Sequence, residues 1–189
     1  MRMYKFCKTE ESARRQRELE QGLLEMMIRR RFEEISVSEL CDRLDIPRKS
    51  FYRYFSSKDG ALMALLDHTL LEFYDTGSLE GLRGGTPIGD LERFFKFWKE
   101  NKKLLDAVLC SNLGGMLVER AVSLAKQEEL MPGYVRDWEG IMKDVAMSFV
   151  VCGLMSMVLH WHKEGYQIPT EIMAQTAVRM LSRPLIPNM

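Results

Sequence analysis

The chain has 189 residues, of which 46% are hydrophobic and 29% are charged. This composition is ample for a hydrophobic core and excludes disordered and collagen-like chains. Basic and acidic residues both number 27, yet residues 1–60 carry 14 basic against 11 acidic side chains and the other residues 13 against 16. A basic N-terminal part and an acidic remainder indicate two different functions.

The cysteines are spaced too widely for a zinc-type pair or a dense disulfide framework. They are Cys7, Cys41, Cys110 and Cys152. This spacing favours a reducing compartment. The first residues also lack the apolar stretch of a secretory signal. We therefore expect a cytoplasmic protein.

Apolar residues recur at helical spacing along most of the chain, and no alternation of period two lasts long enough to predict a strand. The fold class expected is therefore all-α. A first helix is predicted between Thr9 and Arg31, where Leu19, Leu23 and Met27 form one apolar stripe.

A second and a third helix follow closely. Ser36 lies three residues before Glu39, which predicts a capping box and a short helix that ends near Leu44. Asp45-Ile46-Pro47 is the break, and Pro47 suits the first position of the next helix because its missing N–H has no partner there. The third helix carries Arg48, Lys49, Ser50, Phe51, Tyr52, Arg53 and Tyr54.

Two short helices joined by a three-residue break form a helix-turn-helix, in which the third helix is the candidate reader of the DNA major groove. Phe51 and Phe55 are four residues apart and should fill the small core. Its other predicted members are Leu23, Val37, Leu40 and Leu44. The outer surface is left to Arg48, Lys49, Tyr52 and Arg53. Arginine can pair with guanine, and lysine, tyrosine and serine can reach phosphates or base edges; ordinary solvated charges are the alternative.

A fourth helix is predicted from Lys58 to Tyr74, with Ser57 as its cap and Asp59 in its first turn. A cation in the first turn is less favourable than an acid by about 0.3–1 kcal/mol, because it opposes the helix dipole. A DNA phosphate bound by the backbone N–H groups and the Lys58 ammonium would reverse that sign. A freely solvated Lys58 is the alternative.

The glycine-rich stretch 77–85 is the clearest linker. Beyond it, further helices are predicted over residues 87–100, 102–109, 113–129, 134–163 and 170–181. Thr86 and Thr170 are the start signals of the first and the last of them. We expect an N-terminal three-helix helix-turn-helix domain over residues 1–57, followed by a helical domain for ligand binding and dimerisation over residues 58–189.

The best-matched motif is Phe51-Tyr52-Arg53-Tyr54-Phe55 with Lys58 three residues on. It is similar to the pattern Leu-Tyr-x-His-Phe-x-x-Lys, and residues 36–62 around it resemble the helix-turn-helix signature of the TetR/AcrR family of bacterial transcriptional regulators. The resemblance implies that Tyr52 and Lys58 contact phosphates and that Arg48, Lys49 and Ser50 face the groove.

Three residues depart from the family pattern. Pro47 replaces the usual Ser or Thr cap, so a contact between cap and phosphate is lost. Asp45 stands where the turn often has Gly, and it tolerates a left-handed conformation less easily than Gly but better than most residues. Tyr54 replaces the usual His and is expected to move its polar tip outward. The predicted DNA-binding set is Ser36, Arg48, Lys49, Ser50, Tyr52, Arg53, Tyr54 and Lys58.

Residues 145–159 are apolar on all sides, which predicts a helix between a pocket and a partner. A membrane-spanning helix needs about 20 residues, so this run of 15 is interpreted as a buried helix of a soluble protein with no membrane contact. Gly153 and Ser156 would let a second helix approach closely. A homodimer through this helix and residues 170–181 follows, and the family resemblance implies the same seam; the alternative is a monomer whose last helix covers the surface.

Fourteen methionines and the aromatic run 94–98 suggest a pocket for a small apolar or aromatic ligand. Ordinary core filling is the alternative for each residue. The candidate ligand-binding residues are Phe73, Phe94, Trp98, Leu105, Leu109, Met116, Met142 and Phe149.

The pattern as a whole predicts a sequence-specific regulator that binds an operator in double-stranded DNA as a homodimer and is released by a ligand. No fingerprint of an enzyme is present, no cofactor is expected, and His160 and His162 are two apart on a helix and cannot share a metal ion. Two alternatives stay open. One is a ligand-binding helical protein without DNA-binding activity, and the other is an enzyme that uses Cys110 or Cys152.

Overall fold

The structure, a computed structural model, describes residues 3–74, 87–127 and 140–182. These residues form nine α-helices and no strand, which confirms the predicted all-α fold. The helices are α1 Glu10–Met27, α2 Val37–Arg43, α3 Arg48–Tyr52, α4 Lys58–Phe73, α5 Pro87–Glu100, α6 Lys102–Cys110, α7 Gly114–Ala125, α8 Gly140–Lys163 and α9 Thr170–Ser182. The predicted linker 77–85 and its neighbour Thr86 lie outside the described residues.

The starts of α1 and α4 fall where local capping signals place them. Thr9 caps α1 by accepting the Ser12 N–H, and Ser57 caps α4 by accepting the Gly60 N–H at 3.1 Å. Helix α1 ends at Met27, four residues before the predicted end at Arg31. The chain leaves the helix there because the short 3₁₀ helix Phe32–Glu34 buries the Phe32 side chain.

Contacts divide the chain into two compact units. The first comprises the residues up to Thr69 together with Lys103–Leu117, and the second comprises Leu70–Lys102 and the residues from Val118 onward. The predicted domain boundary after Ser57 stays a prediction, since density of contacts does not show which segment folds independently.

The first unit is built around a core that α1, α2, α3 and α4 share. Leu23, Leu40, Phe51 and Leu62 are fully buried and Phe55 nearly so, while the predicted core members Val37 and Leu44 are half-buried. Helix α1 passes close to the end of α2, because a methyl group at Gly22 would lie 2.9 Å from a Leu44 side-chain carbon. This packing fixes α2 and α3 on the α1 scaffold.

The turn between α2 and α3 requires one residue in the left-handed region. Asp45 adopts it with φ 51°, and the Ile46 N–H donates to the Cys41 carbonyl at 3.0 Å. Aspartate tolerates this conformation better than most residues other than glycine and asparagine. The sequence expectation for this position is therefore met.

In the second unit, α5 packs on α9 and also contacts α8. Trp98 and Phe95 of α5 and Trp161 of α8 are almost fully buried there. The Trp161 indole N–H donates to the Ile168 carbonyl at 2.8 Å, which ties α8 to the loop that leads into α9. Large aromatic side chains therefore form the centre of this unit.

Helix α8 leaves most of its apolar surface uncovered. It is long and apolar enough, by length and composition, to cross a membrane, but only 17% of its most apolar window is buried. Ile141 is 78% exposed and Phe149 is 67% exposed. The prediction of a buried helix is wrong for the single chain, because the contacts of α8 with α5 and with Ala125 at the end of α7 leave much of its apolar surface exposed.

Candidate nucleic-acid interface

A capping box opens α2 as predicted. The Ser36 hydroxyl accepts the Glu39 N–H at 3.2 Å, and the Glu39 carboxylate accepts the Ser36 N–H at 2.8 Å and an Arg30 guanidinium N–H at 3.0 Å. These bonds, the one from the Ser36 backbone foremost, lower the pKa of Glu39 from 4.5 to about 2. The exposed Ser36 hydroxyl still has its own hydrogen to donate outward.

Helix α3 follows the turn with its charged residues facing solvent. Its N-cap is Pro47, which the sequence predicts as its first residue, so the helix begins one residue later than expected, and the Pro47 carbonyl accepts the Ser50 N–H at 2.8 Å. Ser50 is half-buried. The exposed residues are Arg48, Lys49, Tyr52 and Arg53. Since Phe51 and Phe55 are buried beneath them, spacing alone placed the two faces of this helix as observed.

The exposed cations of α3 lack an acidic partner among the described residues, unlike five other arginines of the same unit. Neither Arg48, Lys49 nor Arg53 forms an ion pair with any described residue. Elsewhere in the unit, arginines pair with glutamates. The pairs are Arg14 with Glu18, Arg15 with Glu11, Arg30 with Glu39, Arg31 with Glu33 and Arg43 with Glu25. Positive charge on α3 is therefore available to an external anion.

The structure gives Lys58 partners other than the predicted phosphate. Its ammonium donates to the carbonyls of Phe32 at 2.6 Å, Ile35 at 2.6 Å and Glu33 at 3.3 Å, and it lies 4.3 Å from the centroid of the Phe32 ring. An ammonium has three hydrogens, and all three are used here. These bonds, rather than a phosphate, offset the unfavourable position of a cation at the start of α4.

The prediction that Tyr54 turns outward is wrong. Its side chain is only 6% exposed, and its ring packs beside Phe55 with centroids 6.3 Å apart. Helix α3 ends at Tyr52, so the side chain of Tyr54 does not follow the helical spacing used to place it. Tyr54 therefore does not belong to the exposed surface of α3.

The thiol of Cys41 lies in the core under this surface. Cys41 is fully buried, and burial raises the pKa of its thiol, while Arg48 acts weakly in the opposite direction. The neutral thiol packs as a small apolar group.

The predicted ligand-binding residues are divided between the two units. Phe73, Phe94 and Trp98 lie together in the second unit, where the Phe73 and Phe94 ring centroids are 5.6 Å apart and those of Phe94 and Trp98 are 6.4 Å apart. Leu105, Leu109 and Met116 belong to the first unit. Met142 and Phe149 are 57% and 67% exposed, and their role in binding a ligand stays a prediction.

The indole N–H of Trp98 is unusual in its hydrogen bonding. The residue is 1% exposed, and its indole N–H has no hydrogen-bond partner among the described residues. A buried tryptophan N–H usually finds an acceptor.

Sequence reasoning missed two features of the first unit. One is the bond between Lys58 and the Phe32 turn, which joins residues 26 positions apart. The other is Lys5, an exposed lysine with no ion pair to a described residue, whose backbone N–H donates to the Tyr54 carbonyl at 2.8 Å. Neither contact has a local sequence signal.

Two family profiles match the chain. One, described as bacterial regulatory proteins of the tetR family, matches residues 22–65, and the other, described as a transcriptional regulator C-terminal region, matches residues 86–183 and so spans more than half of the chain. No curated protein matches the sequence.

Solved structures show the same fold. The chain is similar to a tetR-family transcriptional regulator from Streptomyces coelicolor, with 20% identity and a TM-score of 0.55 over 92% of this chain and 79% of that one. It is also similar to the fatty acid degradation regulator FadR from Bacillus halodurans, with 13% identity and a TM-score of 0.62 over 90% of this chain and 99% of that one.

Proposed function

The chain belongs to the TetR family of DNA-binding transcriptional regulators, and on that basis we propose that it is a homodimeric repressor released from its operator by a small molecule. The observation that carries the DNA-binding part is the set of unpaired, exposed cations on α3. Charges left without partners are suited to phosphates and base edges, which supply the anions and acceptors that the chain does not.

We assign the contacts by chemistry. Arg48, in the first turn of α3, pairs with guanine in the major groove. Lys49, Tyr52 and Arg53 contact phosphates or base edges, with Ser50 as a further donor, and the Ser36 hydroxyl donates to a phosphate from the start of α2. Lys58 acts indirectly, because it fixes the turn that precedes α2. Tyr54 is not included, because it is buried.

The exposed face of α8 supports a homodimer. Helix α9 also exposes apolar residues, namely Ile172, Met180 and Leu181. A Cβ built on Gly153 would meet nothing within 4 Å, which leaves room for the backbone of a second helix. Two copies would present two α3 helices to half-sites about 34–36 Å apart. The same seam would cover the apolar surface, as a cytoplasmic location requires.

The aromatic cluster of the second unit is the proposed ligand site. Phe73, Phe94 and Trp98 offer flat apolar walls for a small apolar or aromatic molecule, and an acceptor atom on that molecule would satisfy the Trp98 N–H. A ligand shifts an equilibrium only by its difference in affinity for two states, typically about 1–3 kcal/mol in allosteric systems.

Helix α4 is the proposed mechanical link to the DNA. Its Lys58 end belongs to the first unit, and its Phe73 end belongs to the second unit, where it contacts the aromatic cluster. A ligand that displaces Phe73 would tilt this helix and change the spacing of the paired α3 helices. Operator affinity would fall without any change in the residues that read the bases.

The test uses gel shifts with DNA that flanks the protein's own gene, against a shuffled duplex of equal length. We expect a specific complex, and a screened small molecule that dissolves it for the unsubstituted protein but not for Trp98→Ala. Binding of small molecules without any DNA complex would favour the alternative of a ligand-binding protein. A DNA complex that every bound compound leaves intact would refute ligand release alone.

A further inference from the structure

Residues 3–8, ahead of α1, form an ordered arm whose first residues lie along the connection between α3 and α4. Tyr4 pairs with Phe55 in an isolated antiparallel bridge, and the Lys5 N–H donates to the Tyr54 carbonyl at 2.8 Å. On the other side of the bridge, the Met3 carbonyl accepts from the Ser56 N–H at 3.0 Å and from the Ser56 hydroxyl at 2.9 Å. The arm is therefore fixed at the end of α3.

One face of the arm is turned toward α4. The Tyr4 hydroxyl donates to the buried Asp67 carboxylate at 2.6 Å, and the Tyr4 ring meets the His68 ring edge-on, with centroids 5.8 Å apart. The approach is close enough that a methyl group at Gly60 would lie 2.3 Å from the Met3 carbonyl oxygen. Only glycine at position 60 leaves the arm this space.

The other face of the arm presents a cation. Successive side chains of an extended segment point to opposite sides, so Lys5 points away from the α4 side that Tyr4 occupies. Lys5 is exposed and forms no ion pair with a described residue. Its backbone is bonded to the residue that directly follows Tyr52 and Arg53, both of which are exposed on the proposed DNA surface.

We infer that the arm is a second DNA-contacting element of this protein and that the Lys5 ammonium binds a backbone phosphate at the edge of the groove that α3 enters. The inference rests on the proposed function, because it requires α3 to lie in DNA. Since the arm is already ordered, Lys5 contributes its charge without the entropy loss of folding a tail onto DNA. Lysine acts here as a point charge, so the contact strengthens binding without reading sequence.

The experiment compares Lys5→Ala with Lys8→Ala in the full chain. Lys8 is a matched control, because it is an exposed lysine on the same segment but lies beyond the bridge to α3 and α4. Binding to a duplex of random sequence is measured by fluorescence anisotropy at several KCl concentrations. The slope of log affinity against log salt concentration should become less steep by about 0.9 for each Lys5 that contacts a phosphate. Between 50 and 200 mM salt, the variant should therefore lose about 3-fold less affinity than the unsubstituted protein.

Support requires a smaller slope for Lys5→Ala and an unchanged slope for Lys8→Ala. Equal losses in both variants would show only a diffuse effect of charge and overturn the inference, as would an unchanged slope in both. If the unsubstituted protein fails to bind any DNA, the proposed function fails first and the inference fails with it. These outcomes therefore separate the two claims.

A second variant tests the arm itself. Gly60→Ala places a methyl group against the Met3 carbonyl and should displace the arm while Lys5 is retained. We expect the same loss of slope as for Lys5→Ala, with helix content unchanged by circular dichroism. A folded Gly60→Ala protein with the full slope would contradict the role of the ordered arm.

Discussion

Helices α3 and α8 differ in where their apolar residues lie. In α3 the charged residues face solvent, and Phe51 is fully buried. In α8 large apolar residues such as Ile141 and Phe149 face solvent, and only one side is covered within the chain. Helix α3 therefore has its apolar residues packed within one chain, whereas α8 exposes an apolar face that the proposed dimer would cover.

The largest effect is expected where α8 would meet the second chain of the proposed dimer. Phe149→Asp places a charge on the proposed seam, so the dimer should dissociate into folded monomers, because Phe149 contributes little to the packing of one chain. Operator affinity should fall by about 100-fold or more, since specific binding needs both half-sites. Light scattering and gel shifts measure the two results.

Ile168→Asp is the matched control for the seam. Ile168 is 45% exposed and lies in the loop after α8, outside the proposed seam. It should leave the dimer intact. If the Phe149→Asp protein stays dimeric, the exposed face of α8 is not the dimer interface, and the proposed difference between α8 and α3 is wrong.

The next prediction concerns the contribution of the core under α3 to the free energy of unfolding. Phe51→Ala should lower the free energy of unfolding by about 3–5 kcal/mol, because a large, fully buried side chain leaves a cavity. Its exposed neighbour Tyr52 is the control, and Tyr52→Ala should change stability by about 0.5 kcal/mol or less. Urea denaturation checks both. Equal destabilisation would mean that α3 has no distinct inner and outer face.

Local signals explain why the sequence predicts α3 better than α8. The capping box of Ser36 and Glu39, the break at Asp45 and the four-residue spacing of Phe51 and Phe55 act over a few residues, and the structure has them all. The exposure of Phe149 depends instead on which segments cover α8. Because α8 is apolar on all sides, its sequence does not indicate which side is covered.

The contacts that sequence reasoning missed join distant residues. Lys58 bonds to carbonyls 23 to 26 positions earlier, and Lys5 bonds to Tyr54. Tyr54 was misplaced for a different reason, because the helix ends before it. Such features follow from tertiary packing, which leaves no pattern in a short window of residues.

A comparison of variants at Lys58 and Lys49 separates a cation that stabilises the fold from one that contacts DNA. Lys58→Ala removes three charge-assisted hydrogen bonds and should lower stability by about 1.5–3 kcal/mol while leaving the salt slope of DNA binding unchanged. Lys49→Ala should do the reverse, with a smaller slope and little change in stability. If Lys58→Ala reduces the slope by as much as Lys49→Ala, Lys58 contacts phosphate after all.

The smallest effect concerns the cap of α2. The pKa of Glu39 is lowered in the folded protein to about 2, so its contribution to stability is present above pH 4.5 and is lost as the pH falls toward 2. Glu39→Gln keeps an acceptor for the Ser36 N–H but removes the charge. The difference in unfolding free energy between the two proteins should shrink steadily over that range, and a constant difference would refute the assignment.

The most direct test of the account compares two arginines that differ in their partners. Arg48 on α3 has no ion pair among the described residues, whereas Arg43 at the end of α2 is paired with Glu25 at 2.9 Å. Affinity is measured for a panel of operators with single base-pair changes, once the operator is selected from a random library. Arg48→Ala should lose about 1–3 kcal/mol of discrimination at one guanine position, and Arg43→Ala should keep full discrimination. Equal discrimination in both variants and the unsubstituted protein would contradict the claim that the unpaired cations of α3 read DNA.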